Sequence, residues 1–370
     1  MSTRGLEGVV AAESSVSSII DGVLTYRGYN IDDLANHASF EEVIFLLWYG
    51  KLPNTSELDQ LKKDLSENAS IPQEVIDQIR LFPKNIHPMG ALRTAVSALG
   101  LYDEEAEVMD EAANHRKAVR LQAKISTIVT TFARLREGKE PVEPRSDLGF
   151  AANFLYMLTG EEPSEISIEA FNKALVLHAD HEFNASTFTS RVTVATLSDI
   201  FSGVTAAIGA LKGPLHGGAN EQVMSTLEKI GEVDKAEGYI LNALSNKEKI
   251  MGFGHRVYKD GDPRAKHLKE MSRQLTTLTG ETKWYEMSLK VNEVVEREKG
   301  LLPNVDFYSA SVYHSLGIQR DLFTPIFAIS RTSGWIAHIL EQYSNNRLIR
   351  PRADYVGPQQ QKYISIDQRS

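Results

Sequence analysis

Four short segments of this sequence bring glycine, histidine and charge together where a helical pattern breaks, and each could do chemistry. In Lys212-Gly-Pro-Leu-His-Gly-Gly-Ala-Asn220, Gly213-Pro214 must turn and Gly217-Gly218 allow a close backbone approach. A helix starting near Asn220 puts His216 just before its N-terminus, where the dipole disfavours imidazolium. A neutral His216 could donate a hydrogen bond to developing negative charge; the alternative is a turn histidine satisfied by backbone. In Met251–Arg264, Gly252-Phe253-Gly254 is a poor dinucleotide loop: Val257 stands where a third glycine is needed, and the preceding Ser245–Ile250 is polar rather than a buried strand. A Rossmann site is therefore rejected. What remains is His255 with a cationic run, Arg256, Lys259, Arg264, Lys266, Lys269 and Arg273, against Asp260, Asp262 and Glu270. That excess suits a small anion such as a carboxylate or phosphate. A solvated helix face from Pro263 accounts for Lys269 and Arg273 but less well for His255 and Arg264.

Asp306 follows Gly300 and Pro303 among apolar and aromatic neighbours. It is either a helix N-cap or, if partly buried, a general base with its pKa lifted above about 3.9. His178 and His181 stand at i and i+3, open to metal ligation, ligand hydrogen bonding or a role as helix C-terminal cation. They lack the His-Glu-x-x-His spacing of zinc proteases. Arg331 lies on an otherwise apolar helix, and Arg347, Arg350 and Arg352 cluster about Pro351. An arginine on an apolar face needs an anionic partner.

The elements that must position these groups are almost all helical. Val9 to Tyr29 alternates, with Asp21-Gly22 between β-branched runs, which predicts a small hairpin. Beyond it, Ser39-Phe-Glu-Glu42 is a capping box opening Val43–Trp48, and apolar residues recur at helical spacing in stripes through 58–65, 75–79, 89–99 and 118–132. The pattern continues through Phe150–Leu158, Ile168–Leu177, Phe188–Phe201, Val223–Ile230, Trp284–Val295 and Phe327–Leu340. Small residues crowd one helix between Gly203 and Ala210, a face that fits a central or subunit contact. Glu137–Arg145 is a polar loop. The expected fold is all-α, with no solenoid repeat and no boundary marked by a composition shift.

Composition narrows the function classes. With 370 residues, 42% of them hydrophobic and 24% charged, the chain can bury a large core in two domains or so. Its net charge of −9 argues against non-specific binding to nucleic acid or an anionic membrane, so any anion site is local. The absence of cysteine excludes disulfides, thiolate nucleophiles and Cys-ligated metal, and suits a reducing compartment. Ile200–Leu211, the longest nearly uncharged apolar stretch, is too short to span a bilayer, and no signal peptide is visible. The expectation is a cytoplasmic protein.

Taken together the segments resemble citrate synthase. GPLHGGANE, MGFGHRVYKDGDPRAK and PNVDFYS, with HADHE upstream and SRTSGWIAHILEQY downstream, occur in that family's order and approximate spacing. The opening RGLEGVVAAESSVSSIIDG is similar too, and the short dimeric bacterial form is the nearest match. The resemblance implies a large helical domain (1–219 and 321–370) and a smaller one (220–320) closing over a cleft. It implies condensation of acetyl-CoA with oxaloacetate, then hydrolysis of the citryl thioester. Asp306 would be the base, His216 would stabilise the enolate, and His255 would donate to the ketone oxygen of oxaloacetate. Arg264, Arg331 and Arg350 would clamp the oxaloacetate carboxylates with help from His181, Arg350 crossing from the second chain of a homodimer because it directly precedes Pro351 as the motif does. Gly252, Phe253, Gly254 and Lys259 resemble the coenzyme A contacts, and Asn304 would help place base and water. No metal or cofactor is implied. The chain starts at the family's core, without the N-terminal extension of the hexameric NADH-inhibited forms, so that regulation is not expected. The rival within the family is 2-methylcitrate synthase, which uses propionyl-CoA. Outside it, the rivals are a metal-dependent hydrolase on His178, His181 and His216, and a non-catalytic helical dimer that binds CoA or an acidic partner.

Overall fold

Polar residues placed one position ahead of apolar runs start most of the helices. A computed structural model describes residues 4–6, 8–255 and 257–369 of the chain; Arg256 of the cationic run lies outside the described residues. Among the described residues sixteen α-helices follow one small sheet: α1 (Ile31–His37), α2 (Phe40–Tyr49), α3 (Thr55–Glu67), α4 (Gln73–Arg80), α5 (Pro88–Leu99), α6 (Glu111–Arg136), α7 (Phe150–Thr159), α8 (Glu165–His178), α9 (Ala185–Val194), α10 (Ile200–Leu211), α11 (Ala219–Ile230), α12 (Ala236–Ser245), α13 (Ala265–Thr279), α14 (Lys283–Lys299), α15 (Val305–Ser315) and α16 (Phe323–Ser344). The expected all-α architecture is what the chain adopts. Ser39 and Glu42 form the predicted capping box on α2, and Asn54 with Glu57 forms a second on α3. Such caps satisfy backbone N–H groups that have no partner inside the helix, each worth about 1 kcal/mol.

Two local expectations needed correction. The N-terminal hairpin is a three-stranded antiparallel meander, β1 (Ser17–Ile20), β2 (Val23–Tyr26) and β3 (Tyr29–Asn30). The predicted turn at Asp21-Gly22 is followed by a second at Arg27-Gly28, again with both residues at positive φ; arginine is an unusual residue there, which hid the third strand. The run Phe188–Phe201 is not one helix. It breaks between α9 and α10, where Leu197 has φ 65° and Asp199 caps α10 by accepting from the Ser202 N–H at 2.8 Å.

The core is organised around α16, which is buried on nearly every face and packs against α2, α6, α8, α9 and α10. Fully burying one of its large apolar side chains contributes about 1.5–3 kcal/mol, and Trp335, Phe323, Ile326, Ile329 and Ile336 are all solvent-free. A second group forms where α15 packs on α11 and α13 while α12 packs on α14. The two groups meet where α13 and α15 touch α8 and α11 touches α16. That junction is where the Gly/His segments lie.

Candidate active site

Four breaks in the helical pattern and one face of α16 converge on one cavity of about 780 Å³ lined by His181, His216, His255, Arg264, Asn304, Asp306, Phe327 and Arg331. Asp306 is not the N-cap of α15. Asn304 is: its Oδ1 accepts from the Asp306 N–H at 3.0 Å, placing Asp306 in the first turn. The Asp306 Oδ1 is buried without a hydrogen-bond partner among the described residues. Burial lifts its pKa from 3.8 to about 6, against the opposing pull of Arg264. A carboxylate with a free oxygen and a pKa near neutrality is suited to taking a proton.

His216 lies two residues before Gly218, the N-cap of α11, which gives no side-chain cap. The Ser186 N–H donates to its Nε2 at 3.3 Å, and Ser186 Oγ sits 2.8 Å from the same atom. A backbone N–H can only donate, so Nε2 accepts and the proton resides on Nδ1. Burial first, then the Arg331 charge, pulls its pKa down to about 4. The ring is a neutral donor at pH 7; burial leads, not only the helix start expected from sequence.

His255 is fixed in the other tautomer. Its Nδ1 accepts from the N–H groups of Val257 (3.1 Å) and Tyr258 (3.3 Å), leaving Nε2 to carry the proton. Burial and Arg264 hold its pKa below the usual histidine range. The ring centroid lies 5.1 Å from that of His181, whose Nε2 is 3.0 Å from the Tyr258 hydroxyl. Burial, then Arg264 and Arg331, pushes His181 well below 6.5.

The two buried arginines differ. Arg264 forks onto Asp262 through Nε (2.9 Å) and Nη2 (2.7 Å), and Asp262 also accepts the Val305 N–H at 3.0 Å. One carboxylate thus ties the start of α13 to the start of α15. Arg331 makes no ion pair among the described residues: its Nε donates to the His178 carbonyl at 2.8 Å, and its guanidinium lies 4.7 Å from the Phe327 ring centre. Burial pulls its pKa down to about 10. Among solvent-free side chains it is among the largest, and a buried cation without its own carboxylate is a receptor for an anionic ligand.

The glycine loop and Asn304 form the rim. Phe253 bridges to Pro303, Gly254 N–H donates to Leu302 O at 2.9 Å, and Asn304 Nδ2 donates to Gly254 O at 3.0 Å. Gly252 has φ +84° and a Cβ there would stand 2.7 Å from Val223, so only glycine fits. Lys259 lines an adjoining hollow of about 220 Å³ with Gly254, Tyr258 and Asn304. Arg350 is not brought to its own chain's cavity. It lines a neighbouring hollow with Arg191, Glu341, Gln342 and Arg347.

His178 and His181 do not share a helix face, because α8 ends at His178. His178 is solvent-free, bonds its own helix through Nδ1 to Ala174 O at 2.8 Å and packs edge-on to Phe327. No group of three His, Cys, Asp or Glu side chains is placed to hold a metal ion among the described residues. Sequence reasoning missed the partners Ser186, Tyr258 and Phe327, and saw Asp262 only as local charge. The Asp-x-Arg spacing of Asp262 and Arg264 was the one available signal.

Both the sequence and the fold have known relatives. The family model for citrate synthase, C-terminal domain, matches residues 5–352. The chain is 69% identical over 369 residues to citrate synthase 2 of Bacillus subtilis, covering 100% of this chain and 99% of that one. A 2-methylcitrate synthase of Corynebacterium glutamicum is 42% identical, over 99% of this chain and 98% of that one. The crystal structure of citrate synthase from Pyrobaculum aerophilum superposes with a TM-score of 0.93 at 42% identity, over 99% of this chain and 95% of that one. A ternary complex of carboxymethyl coenzyme A and oxaloacetate with citrate synthase from Thermoplasma acidophilum also reaches 0.93, at 36% identity and 99% coverage of both chains. With near-complete coverage in sequence and in structure, this chain belongs to the citrate synthase family.

Proposed function

We propose that this chain condenses acetyl-CoA with oxaloacetate and hydrolyses the resulting citryl-CoA to citrate and free CoA, using its own side chains as acid and base. The observation that carries the assignment of roles is the half-buried Asp306, one oxygen unpartnered, in one cavity with two neutral histidines of opposite tautomer and two buried arginines. Asp306 removes a proton from the acetyl methyl group while the His216 Nδ1–H donates to the thioester oxygen, where the enolate charge gathers. The nucleophilic carbon then attacks the oxaloacetate ketone, and the His255 Nε2–H donates to the ketone oxygen as it becomes an alkoxide. Water completes the reaction by displacing CoA. Each acid or base role is worth about 10²–10⁴ in rate.

In this reading Arg331 and Arg264 hold the oxaloacetate carboxylates with His181, the Gly252–Gly254 backbone and Lys259 contact CoA, and Asn304 fixes the start of α15. The reaction asks for no metal or cofactor. Residues 220–320 form the smaller unit, supported by the mutual packing of α11 to α15, and the rest forms the larger. We place two chains in the working enzyme, with Arg350 entering the neighbour's cavity. Its position on the extended, exposed segment after α16, outside its own cavity, supports that exchange, and the small-residue face of α10 suits the contact. No described helix is long and apolar enough to cross a membrane; we assign the enzyme to the cytoplasm.

The test is oxaloacetate-dependent release of CoA from acetyl-CoA. Absence of release by the folded protein would remove the reading. Propionyl-CoA should be the poorer acyl donor by kcat/KM; one methylene discriminates by about 1–3 kcal/mol, and a reversed preference would identify a 2-methylcitrate synthase instead.

A further inference from the structure

Behind the wall that carries His181 and Arg331 lies a buried polar cluster that the reaction leaves unused. Asp180 is solvent-free. Its Oδ2 accepts from the Ser17 hydroxyl and lies 3.2 Å from His338 Nε2. His338 Nδ1 faces Arg191 Nη1 at 3.1 Å; arginine can only donate, so the imidazole proton sits on Nε2 and points at Asp180. Arg191 is in turn held by Glu341 at 2.6 Å and Gln342 at 3.0 Å.

This cluster grips the backbone on both sides of His181. Ser17 Oγ accepts from the Glu182 N–H at 2.9 Å while donating to Asp180, and the Ile19 N–H donates to Glu182 Oε1 at 2.8 Å. The Tyr26 hydroxyl donates to Asp180 O at 3.1 Å. On the far side, α16 presses directly on the turn. A Cβ at Gly334 would stand 2.3 Å from Ala179 O and 2.5 Å from Asp180 Oδ1. Arg331, Gly334 and His338 recur at i, i+3 and i+7, one stripe of α16. The same carboxylate is also the strongest negative charge acting on Arg331, although it makes no direct contact with it.

We propose that Ser17, Asp180 and His338 are positioning residues for the oxaloacetate end of the cavity, fixing the turn that aims His181 and supplying the standing counter-charge behind Arg331. The proposal rests on the citrate synthase reading. It predicts an effect on one substrate rather than on both, because among the described residues no hydrogen bond joins Ser17, Asp180 or His338 to Asp306, His216 or the glycine loop.

The experiment uses the full-length protein with Ser17→Ala, Ser17→Thr and His338→Leu. Ser17→Ala removes both the donor to Asp180 and the acceptor for Glu182, and His338→Leu removes the other donor. Each should raise the KM for oxaloacetate about tenfold, with kcat and the KM for acetyl-CoA within threefold of the parent. Oxaloacetate should protect each variant less against thermal unfolding, a readout that needs no turnover. Ser17→Thr keeps the hydroxyl and should restore both values. Lower stability with unchanged oxaloacetate KM and protection would make the cluster merely structural and overturn the proposal, as would an equal rise in both KM values. If the parent protein releases no CoA, the parent reading fails by that result, and the thermal-protection series still decides this one.

Discussion

Replacing Asp306 by asparagine should destroy turnover and stabilise the fold, and the second effect should depend on pH in a calculable way. Burial raises the folded-state pKa of Asp306 from 3.8 to about 6. For a carboxyl whose pKa is raised on folding, the native state prefers the protonated form. The group is neutral in both states below pH 3.8, and stability falls as pH rises from there through about 6. Above that range the folded protein carries an ionised carboxylate in an unfavourable site. A shift of about two pKa units corresponds to about 3 kcal/mol. Asparagine cannot ionise, so it escapes this penalty and keeps nearly the same shape. At about 2.1 cal/mol/K per residue, the unfolding entropy of the chain is about 0.8 kcal/mol/K, so the gain is about 4 °C in Tm. The assay is thermal unfolding of parent and Asp306→Asn proteins from pH 5 to pH 8, with CoA release measured in parallel. The Tm difference should widen from about 2 °C at pH 5, where most of the unfolded-state carboxyl has already ionised, to about 4 °C at pH 8, while kcat falls by at least about 10²-fold and oxaloacetate still protects. A pH-independent Tm difference would show that Asp306 is not held ionised at a penalty, and near-normal kcat would show that it is not the base.

In the parent enzyme kcat/KM for acetyl-CoA should rise with unit slope through about pH 6 and then level off, because the base must be ionised and His216, with a pKa of about 4, is already neutral; a plateau extending below pH 5 would contradict this. Asp262→Asn leaves the buried Arg264 without its bidentate partner, a loss of about 3–5 kcal/mol. Its Tm should drop by several degrees and its oxaloacetate KM rise, and an unchanged Tm would refute the staple between α13 and α15. Mixed dimers of Arg350→Ala and Asp306→Asn chains should regain activity that neither parent variant shows, since one of the two sites then holds both an intact base and an intact arginine; no recovery would place Arg350 in its own chain's site.

What the sequence revealed was mainly local. His216, His255 and Asp306 were visible because each interrupts a helical run beside glycine or proline, and the capping box at Ser39 is a chemical signal lying within a few residues of what it controls, whereas the caps at Asn54 and Asp199 emerged only from the structure. What it hid depends on long-range packing. Ser186 meets His216 across 30 positions, and Tyr258 reaches His181 across 77. Neither pair leaves a periodic trace. α12 is short and has almost no charge to mark a solvent face, and the buried stripe of α13, Leu268, Met271 and Leu275, was overshadowed by the cationic run that surrounds it. The Asn304 cap displaced the Asp306 cap because two residues of suitable type compete there, and only the backbone geometry decides.

The enclosure of α16 gives the two halves of the cavity different lifetimes. Backbone amides around Arg331 are sealed by neighbours on nearly every side, so they should exchange with deuterium only when the whole molecule opens. The loop bearing His255, held by a short bridge to Pro303 and a few loop hydrogen bonds, should exchange through far smaller fluctuations. Arg331 should thus stay fixed while the loop bearing His255 rearranges beside it.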